Sequence, residues 1–421
     1  MQAGKKIVAG MLALALTIQG VSMQRGTAVQ AAGQTTETAP LQGTDGAITW
    51  KLTEQTPQQG WSQGDKKAYK LTITGKGVMP GYMHMSDGVN TPWQPYNDQI
   101  QTIAVAKGVT RVSEHAFEGM GELTSVTLPS TVTQVSREAF MYCQKLEKIT
   151  LPEALENIGD RAFNYCRALK SIVVPDQVTT IGSLAFAGCT SLESVSLGES
   201  VAQVQGSLFH ECGKLSTLTV AHGNASMRSE DNVLYNKDMS LLIRYAAGKS
   251  DTKFYVPGSV KTIGANAITH CSNLAELQIP SSVTKMDDYA VYYNSALSKL
   301  FFEGNAPKVS VVTSHTGIIG GNPQVYVYTV YNGAIRHNGK TGTDANKDIT
   351  LYKTASSTGW GEGWSTISQK SDETNQYSKG YGFTLQNFSL TDTDTADGTF
   401  GSLKWHYRDD IKELSFSGSG S

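Results

Sequence analysis

The chain has 421 residues, with 35 Lys and Arg against 37 Asp and Glu, so its formal charge of −2 offers no basic field to nucleic acid or to an anionic lipid surface. The apolar run at 7–18 is too short to cross a bilayer, and no other run approaches the roughly 18–20 residues that a spanning helix needs. Five cysteines without a Cys-x-x-Cys pair give no zinc spacing, and eight scattered histidines without a His-Glu-x-x-His give no metalloprotease motif.

In chain order, Lys5 and Lys6 precede that apolar run, and Val29, Gln30 and Ala31 stand before Ala32. This pattern reads as a signal peptide over 1–31, and after its removal no membrane insertion is expected. Residues 32–45, rich in Thr, Gln and Ala, are expected to be a disordered leader. Residues 46–108 hold strand-like pieces at 48–52 and 69–73, then Gly75, Gly77, Trp93 and Tyr96. They are expected to form a β-rich N-terminal cap, because the first unit of a stacked array would otherwise expose its core face.

Residues 109–304 repeat one 23-residue unit seven times, beginning at Val109, Val132, Leu155, Val178, Val201, Val260 and Val283. A fixed period of this length marks a solenoid, in which a unit buries its apolar side only against its neighbours. Each unit has a short alternating strand, such as Val126 and Leu128 inward with Ser125 and Thr127 outward. Proline follows at 129, 152, 175, 257 and 280 and should stop the strand and turn a corner. A second short extended piece comes next, as at 132–135, and the stretch 136–142 is expected to make one or two helical turns that lower Phe140 into the core. Stacking then aligns Phe117, Phe140, Phe163, Phe186 and Phe209 as a column, continued by Ile268 and Val291. Phe163 at its centre is expected to matter more than Phe117 beside the cap. All five cysteines, Cys143, Cys166, Cys189, Cys212 and Cys271, share one position of the unit, where the first copy has Met120 and the last Asn294. A common packing slot for buried thiols is the expectation, although neighbouring units would also hold them within disulfide range.

An insertion at 224–253 interrupts the period. Its segments 233–235 and 241–245 flank 236–240 and read as a hairpin standing out from the array. Beyond Gly304 the period is lost; strands at 324–330 and 349–352 are expected within a closing region, 305–374, where Trp360 and Trp364 read as packing anchors more than as a sugar platform. Residues 375–400 are expected to be a linker. In 401–421, Gly401, Leu403 and Trp405 repeat the spacing of Gly46, Ile48 and Trp50, and Leu414, Phe416 and Gly418 that of Leu71, Ile73 and Gly75. The expectation is the start of a second, cap-like module cut short at residue 421.

Catalytic motifs fail on context. Gly60, Ser62 and Gly64 match a nucleophile elbow but lie in a Gln- and Gly-rich loop between strands. Gly248, Lys249 and Ser250 imitate the end of a phosphate loop whose first glycine is here Ile243. Asp392, Asp394 and Asp397 offer oxygen ligands but break EF-hand spacing. No catalytic, cofactor or metal residue is expected, and the chain is not expected to be an enzyme.

The unit, seen most fully in Val178 to Leu197 with Ile181, Gly182, Ala185, Phe186, Cys189, Leu192 and Val195, resembles the repeat of the BspA-like bacterial surface leucine-rich-repeat proteins. The fold class expected on that resemblance is mixed α/β and β-rich: a leucine-rich-repeat solenoid of 23-residue units with a β-rich N-terminal cap and a β-hairpin insertion. The resemblance implies a secreted or cell-surface, adhesin-like binding protein, taking host or matrix proteins or glycans. The alternative is a non-catalytic spacer that displays a further domain. A monomer is expected. The outward strand residues Ser125, Thr127, Lys148, Thr150, Ser171, Val173, Ser194, Ser196, Thr217, Thr219, Glu276, Gln278, Lys299 and Phe301 form a hydroxyl-rich strip that is either ligand-facing or simply soluble β-surface.

Overall fold

The computed structural model describes residues 41–88, 91–204 and 206–308, then a series of separate strands between Val311 and Ser417 together with residues 357, 358 and 360. The expected signal peptide and Trp364 lie outside the described residues. Most repeats deliver two short strands, and many of these pair in parallel with their equivalents 23 residues on. Ser171–Val173, Ser194–Leu197 and Thr217–Val220 form one such ladder. Gln134–Val135, Asn157–Ile158 and Thr180–Ile181 form another. The prolines act as expected: Pro129, Pro152 and Pro175 open turns closed by bonds of 2.9–3.1 Å from the amides of Val132, Leu155 and Val178 to the proline carbonyls.

The α component of the expected fold class is absent. Among the described residues there is no α-helix, only the 3₁₀ segments Met85–Asp87, Gln94–Tyr96 and Gly206–Phe209. The stretch 136–142 consists of tight turns. The reason lies in the amides: the N–H groups of Phe140 and Phe163 donate at 2.8 Å to Ala162 and Ala185 of the next repeat. They are therefore spent between turns, where a helix would use them four residues back. That geometry demands left-handed backbone, taken by Glu138, Arg161 and Leu184 at φ 51–57° and by Tyr142 and Tyr165 at φ 58–62°.

The core column is present and longer than expected. Ring centroids are 5.3, 5.3, 5.5 and 6.1 Å apart from Phe117 to Phe209. Trp93 of the cap adds a further ring 5.8 Å from Phe117 and donates its Nε1 proton to the Ala116 carbonyl at 3.1 Å. Phe117 is thus flanked on both sides, which removes the reason for ranking it below Phe163. All five cysteines are buried free thiols. Those of Cys143, Cys166, Cys189 and Cys212 donate at 3.1–3.3 Å to the carbonyl of the phenylalanine 26 residues earlier. Asn294 repeats the contact with its amide, 2.9 Å from the Ile268 carbonyl, so the slot is a donor to a buried carbonyl as well as a filler.

The cap merges into the array through one six-stranded sheet. Gln42–Asp45, Ile48–Gln55 and Ala68–Gly75 run antiparallel, and Ile100–Val105, Ser125–Thr127 and Lys148–Ile149 continue the sheet in parallel. Residues 42–45, expected within a disordered leader, are the first strand of that sheet. The insertion does not stand out. Met227–Glu230, Val233–Asn236 and Leu241–Tyr245 form an antiparallel meander whose last strand pairs in parallel with Thr262–Ile263, so the meander takes the place of a short strand in the array. It also divides the apolar core into two clusters. At that seam the guanidinium of Arg244, wholly buried, donates to the carbonyls of Phe209 at 3.0 Å and Asn266 at 2.7 Å.

Past Gly304 the long-strand ladder goes on. Thr350–Thr354 pairs in parallel with Lys299–Phe302, and Thr384–Phe388 with Thr350–Thr354. The region expected to close the array extends its sheet, and the expected linker, 375–400, contains the strands Asn375–Ser378, Thr384–Phe388 and Thr395–Phe400. Trp360 packs edge-on against Phe302 at 5.0 Å and is 8 % exposed, which fits an anchor.

Candidate functional site

The strand ladders put the outward residues side by side. Ser125 lies opposite Lys148; Ser171, Ser194 and Thr217 form one row, and Val173, Ser196 and Thr219 a second. Glu276 lies opposite Lys299, and Gln278 opposite Phe301. Ser125, Thr127, Lys148, Thr150, Ser171, Val173, Thr217 and Thr219 are exposed; Ser194, Ser196, Glu276, Gln278, Lys299 and Phe301 are half-buried. Val173 stands out at 67 % exposure among small hydroxyls.

The strip is not one surface. It is carried by three sheets, one ending at Lys148–Ile149, one running from Ser171–Val173 to Thr217–Val220 and one beginning at Lys253–Tyr255, and the insertion separates the first two from the third. The two parts also differ in chemistry. Beyond the insertion Glu276 is gripped by Lys299 at 2.9 Å and Lys253 at 3.5 Å, and these cations hold its carboxyl below the usual range against the opposing effect of burial. The Gln278 amide donates to Glu303. Charges there are neutralised within the sheet, whereas 171–219 presents hydroxyls around one valine.

Two further groupings were not foreseen from the sequence. An open cleft of ≈ 600 Å³ is lined by His210, Glu211, Lys214, His270 and Tyr293 among others. The His270 ring stacks on Tyr293 at 5.2 Å and meets His210 edge-on at 4.8 Å. Burial, reinforced by His210 and Arg244, pushes His270 down to about 3, so the cleft floor is neutral and aromatic at ordinary pH. His210 and His270 are separated in sequence by the insertion, and only the restored period brings them together. The second grouping, His84, His115, Glu118 and Glu138, lies between the cap and the first repeats. Its clue was positional: His115, Glu138 and Arg161 occupy the same place in three successive units.

The rejected motifs have structural employment. Ser62 Oγ donates to Glu122 at 2.5 Å, and Lys145 reaches the Gly60 carbonyl, Ser62 and Glu122 at 2.6–3.1 Å, so the loop is a strap on the first repeats. Lys249 is 7 % exposed at its side chain and is held by Asp231 at 2.5 Å and Asp251 at 3.0 Å.

Comparison with known proteins follows the same lines. Residues 96–231 and 246–312 match the BspA type leucine rich repeat region in six copies, and the gap between the two matches falls inside the insertion. A leucine-rich repeat protein from Eubacterium ventriosum is 27% identical, with a TM-score of 0.52, over 62% of this chain and 67% of that one. A leucine rich cell surface protein from Faecalibacterium prausnitzii is 23% identical with a TM-score of 0.40, covering 62% of this chain and 76% of its own. The pneumococcal vaccine antigen PcpA is 17% identical with a TM-score of 0.41, covering 75% and 94%. No curated protein matches the chain. The solenoid of this chain is built of BspA-type leucine-rich repeats.

Proposed function

We propose that this is a secreted or cell-surface binding protein that takes a macromolecular ligand, a protein or a glycan-bearing protein, on the outward strand face over 171–219. The observation that carries the reading is that patch, exposed on its outer strands and half-buried on its middle one: three parallel strands in strict register present Ser171, Ser194 and Thr217 beside Val173, Ser196 and Thr219. Such a surface has donors, acceptors and one apolar anchor but little charge to desolvate, which suits contact with an extended partner. The BspA-type repeats and the N-terminal pattern of Lys5, Lys6 and the apolar run at 7–18 support the surface location. Catalysis has no part in this reading, since Ser62 and Lys249 are committed to structural contacts.

A second reading, a spacer that displays a further module, is favoured by the strands at the C-terminal side. Thr395–Phe400, Leu403–Arg408 and Glu413–Ser417 form an antiparallel meander in which Gly398 lies opposite Trp405 and Trp405 opposite Phe416. The cap meander has Gly43 opposite Trp50 and Trp50 opposite Ile73, the same order and register.

The test is a solid-phase screen of the purified chain against matrix proteins, mucins and glycans, followed by Val173→Glu on whatever binds. Binding that falls at least tenfold with an unchanged melting temperature supports the strand-face site. Undiminished binding by the variant removes that face, and the absence of any ligand favours the spacer.

A further inference from the structure

Between the cap and the array, four side chains from three segments converge. His84 comes from the cap loop before Met85–Asp87, His115 and Glu118 from the first repeat and Glu138 from the second. The side chains of Glu118 and Glu138 are each 2 % exposed. Each carboxylate accepts its hydrogen bonds through one oxygen. Glu118 Oε2 accepts from the Met85 amide at 3.2 Å and lies 2.9 Å from His115 Nδ1, while Glu138 Oε1 accepts from Arg137 and Arg161 at 3.1 Å each. The other two oxygens, Glu118 Oε1 and Glu138 Oε2, are buried without a hydrogen-bond donor. Both face His84 Nε2, at 3.1 and 3.7 Å, and Glu138 Oε2 also lies 3.4 Å from His115 Nδ1.

A buried carboxylate oxygen with no donor is costly, and two of them aimed at one imidazole nitrogen is a pattern that a cation would resolve. The spacing suits a small tetrahedral ion: bonds of about 2.0–2.2 Å give ligand–ligand edges of about 3.3–3.6 Å. Here the three donor atoms lie within 4.8 Å of one another. The partners on the far oxygens have the form of an outer shell that fixes ligand orientation. Ser86 Oγ lies 2.8 Å from His84 Nδ1 and itself donates to Asp87 at 3.1 Å, so it has lone pairs to accept an Nδ1 proton. That tautomer leaves Nε2 with its lone pair toward the carboxylates. The Ser86 amide, 3.1 Å from the same Nδ1, favours the opposite tautomer when no ion is bound.

We propose that His84 Nε2, Glu118 Oε1 and Glu138 Oε2 form a site for a divalent transition metal of the Zn²⁺ type, with His115, Arg137 and Arg161 as its positioning residues. An imidazole with two carboxylates selects this class over Ca²⁺, whose sites are built of oxygen alone. Because the ligands come from the cap and from two successive repeats, the ion pins the cap to the array, and its binding energy adds to the stability of that junction.

The experiment is calorimetric titration of the chelator-treated full chain with ZnCl₂, with melting curves recorded with and without zinc. Wild type should bind saturably at micromolar zinc and melt higher with it. His84→Ala, on a cap loop whose side chain is 30 % exposed, should fold but lose both effects, and Glu138→Gln should weaken binding at least tenfold. No saturable binding to wild type, or the same binding and zinc-dependent melting shift in His84→Ala, would overturn the site.

Discussion

Before the insertion, successive turns stack Phe117, Phe140, Phe163, Phe186 and Phe209 over a ladder of buried thiols; after it, the same place in the turn holds Ile268 and Val291, and the last donor is Asn294. The inter-turn hydrogen bonding does not change with the side chains, although Ile268–Thr269 and Val291–Tyr292 form a short parallel ladder where the equivalents before the insertion are turns. The amide of Ile268 donates to Ala290 at 2.8 Å, as that of Phe163 does to Ala185. What defines a turn is therefore its inter-turn hydrogen bonding and its left-handed corners, while the core filling is exchangeable within the limits of size. The seam between the two halves shows the cost of interruption. The next thiol is missing there, and Arg244 supplies the donor to the Phe209 carbonyl from the inserted meander. It does so without an acidic partner among its hydrogen bonds, and burial pulls its guanidinium below the usual value.

The widest separation between the halves should appear on removing a core side chain. Phe163 has a ring on each side, at 5.3 and 5.5 Å, and neighbours held by inter-turn bonds cannot close the gap, so Phe163→Ala should cost about 3–5 kcal/mol. Ile268→Ala removes fewer carbons from a core without stacked rings and should fall near the lower end of about 2–5 kcal/mol. Denaturant unfolding of both variants measures this. Equal losses would show that ring stacking adds nothing beyond volume.

Acid should separate the halves a second time. His270 has its ordinary value of 6.5 pushed down to about 3 by burial, His210 and Arg244. A group whose folded value is depressed in this way is protonated in the unfolded chain first, so stability is lost as pH falls from about 6.5 toward 3, by at most about 2 kcal/mol between pH 7 and 5. In the first half, Glu122 is held below its ordinary 4.5 by Lys145, Ser62 and Gln63, which outweigh its burial, so its contribution is lost only at pH values below about 4.5. The melting temperature should therefore drop between pH 7 and 5 in wild type and drop less in His270→Asn, since asparagine tolerates the left-handed backbone of φ 61° found there. An identical pH dependence in the two proteins would remove His270 from the account.

The sequence carried the architecture because the period of 23 is a property of side-chain positions. Strand, proline, phenylalanine and cysteine fall in fixed places, and the ladders follow from them. It did not carry the corners, since Glu138, Arg161 and Leu184 are not residues that announce positive φ. That is why 136–142 reads as helix. Arg244 was equally hidden, because a buried arginine that serves carbonyls is written like any solvated one. The outward strip was legible residue by residue, and the period of 23 puts Lys253, Glu276 and Lys299 in one row, yet the bond from the Gln278 amide to Glu303 joins two different positions of the unit and has no signal in the period. The carboxylates of Glu118 and Glu138 depend on a cap histidine with no place in the repeat at all.

The smallest effect concerns what the halves share. Leu184 and Asn266 occupy the same corner on opposite sides of the seam, at φ 57° and 55°. Left-handed backbone costs an ordinary L-residue roughly 1–2 kcal/mol, and asparagine, with its short polar side chain, bears it better. If backbone demand rather than local packing governs this corner, exchanging the two residues should give shifts of opposite sign: Leu184→Asn slightly stabilising, Asn266→Leu slightly destabilising, each below about 1 kcal/mol. Both side chains are half-buried, so apolar contact opposes the first change by a few tenths per methylene lost from cover and favours the second, which sets the expected size below the full backbone term. Differential scanning calorimetry of the two variants resolves shifts of this order. Should Leu184→Asn destabilise while Asn266→Leu stabilises, packing outweighs backbone at the corner, and the two halves would be alike in hydrogen bonding alone.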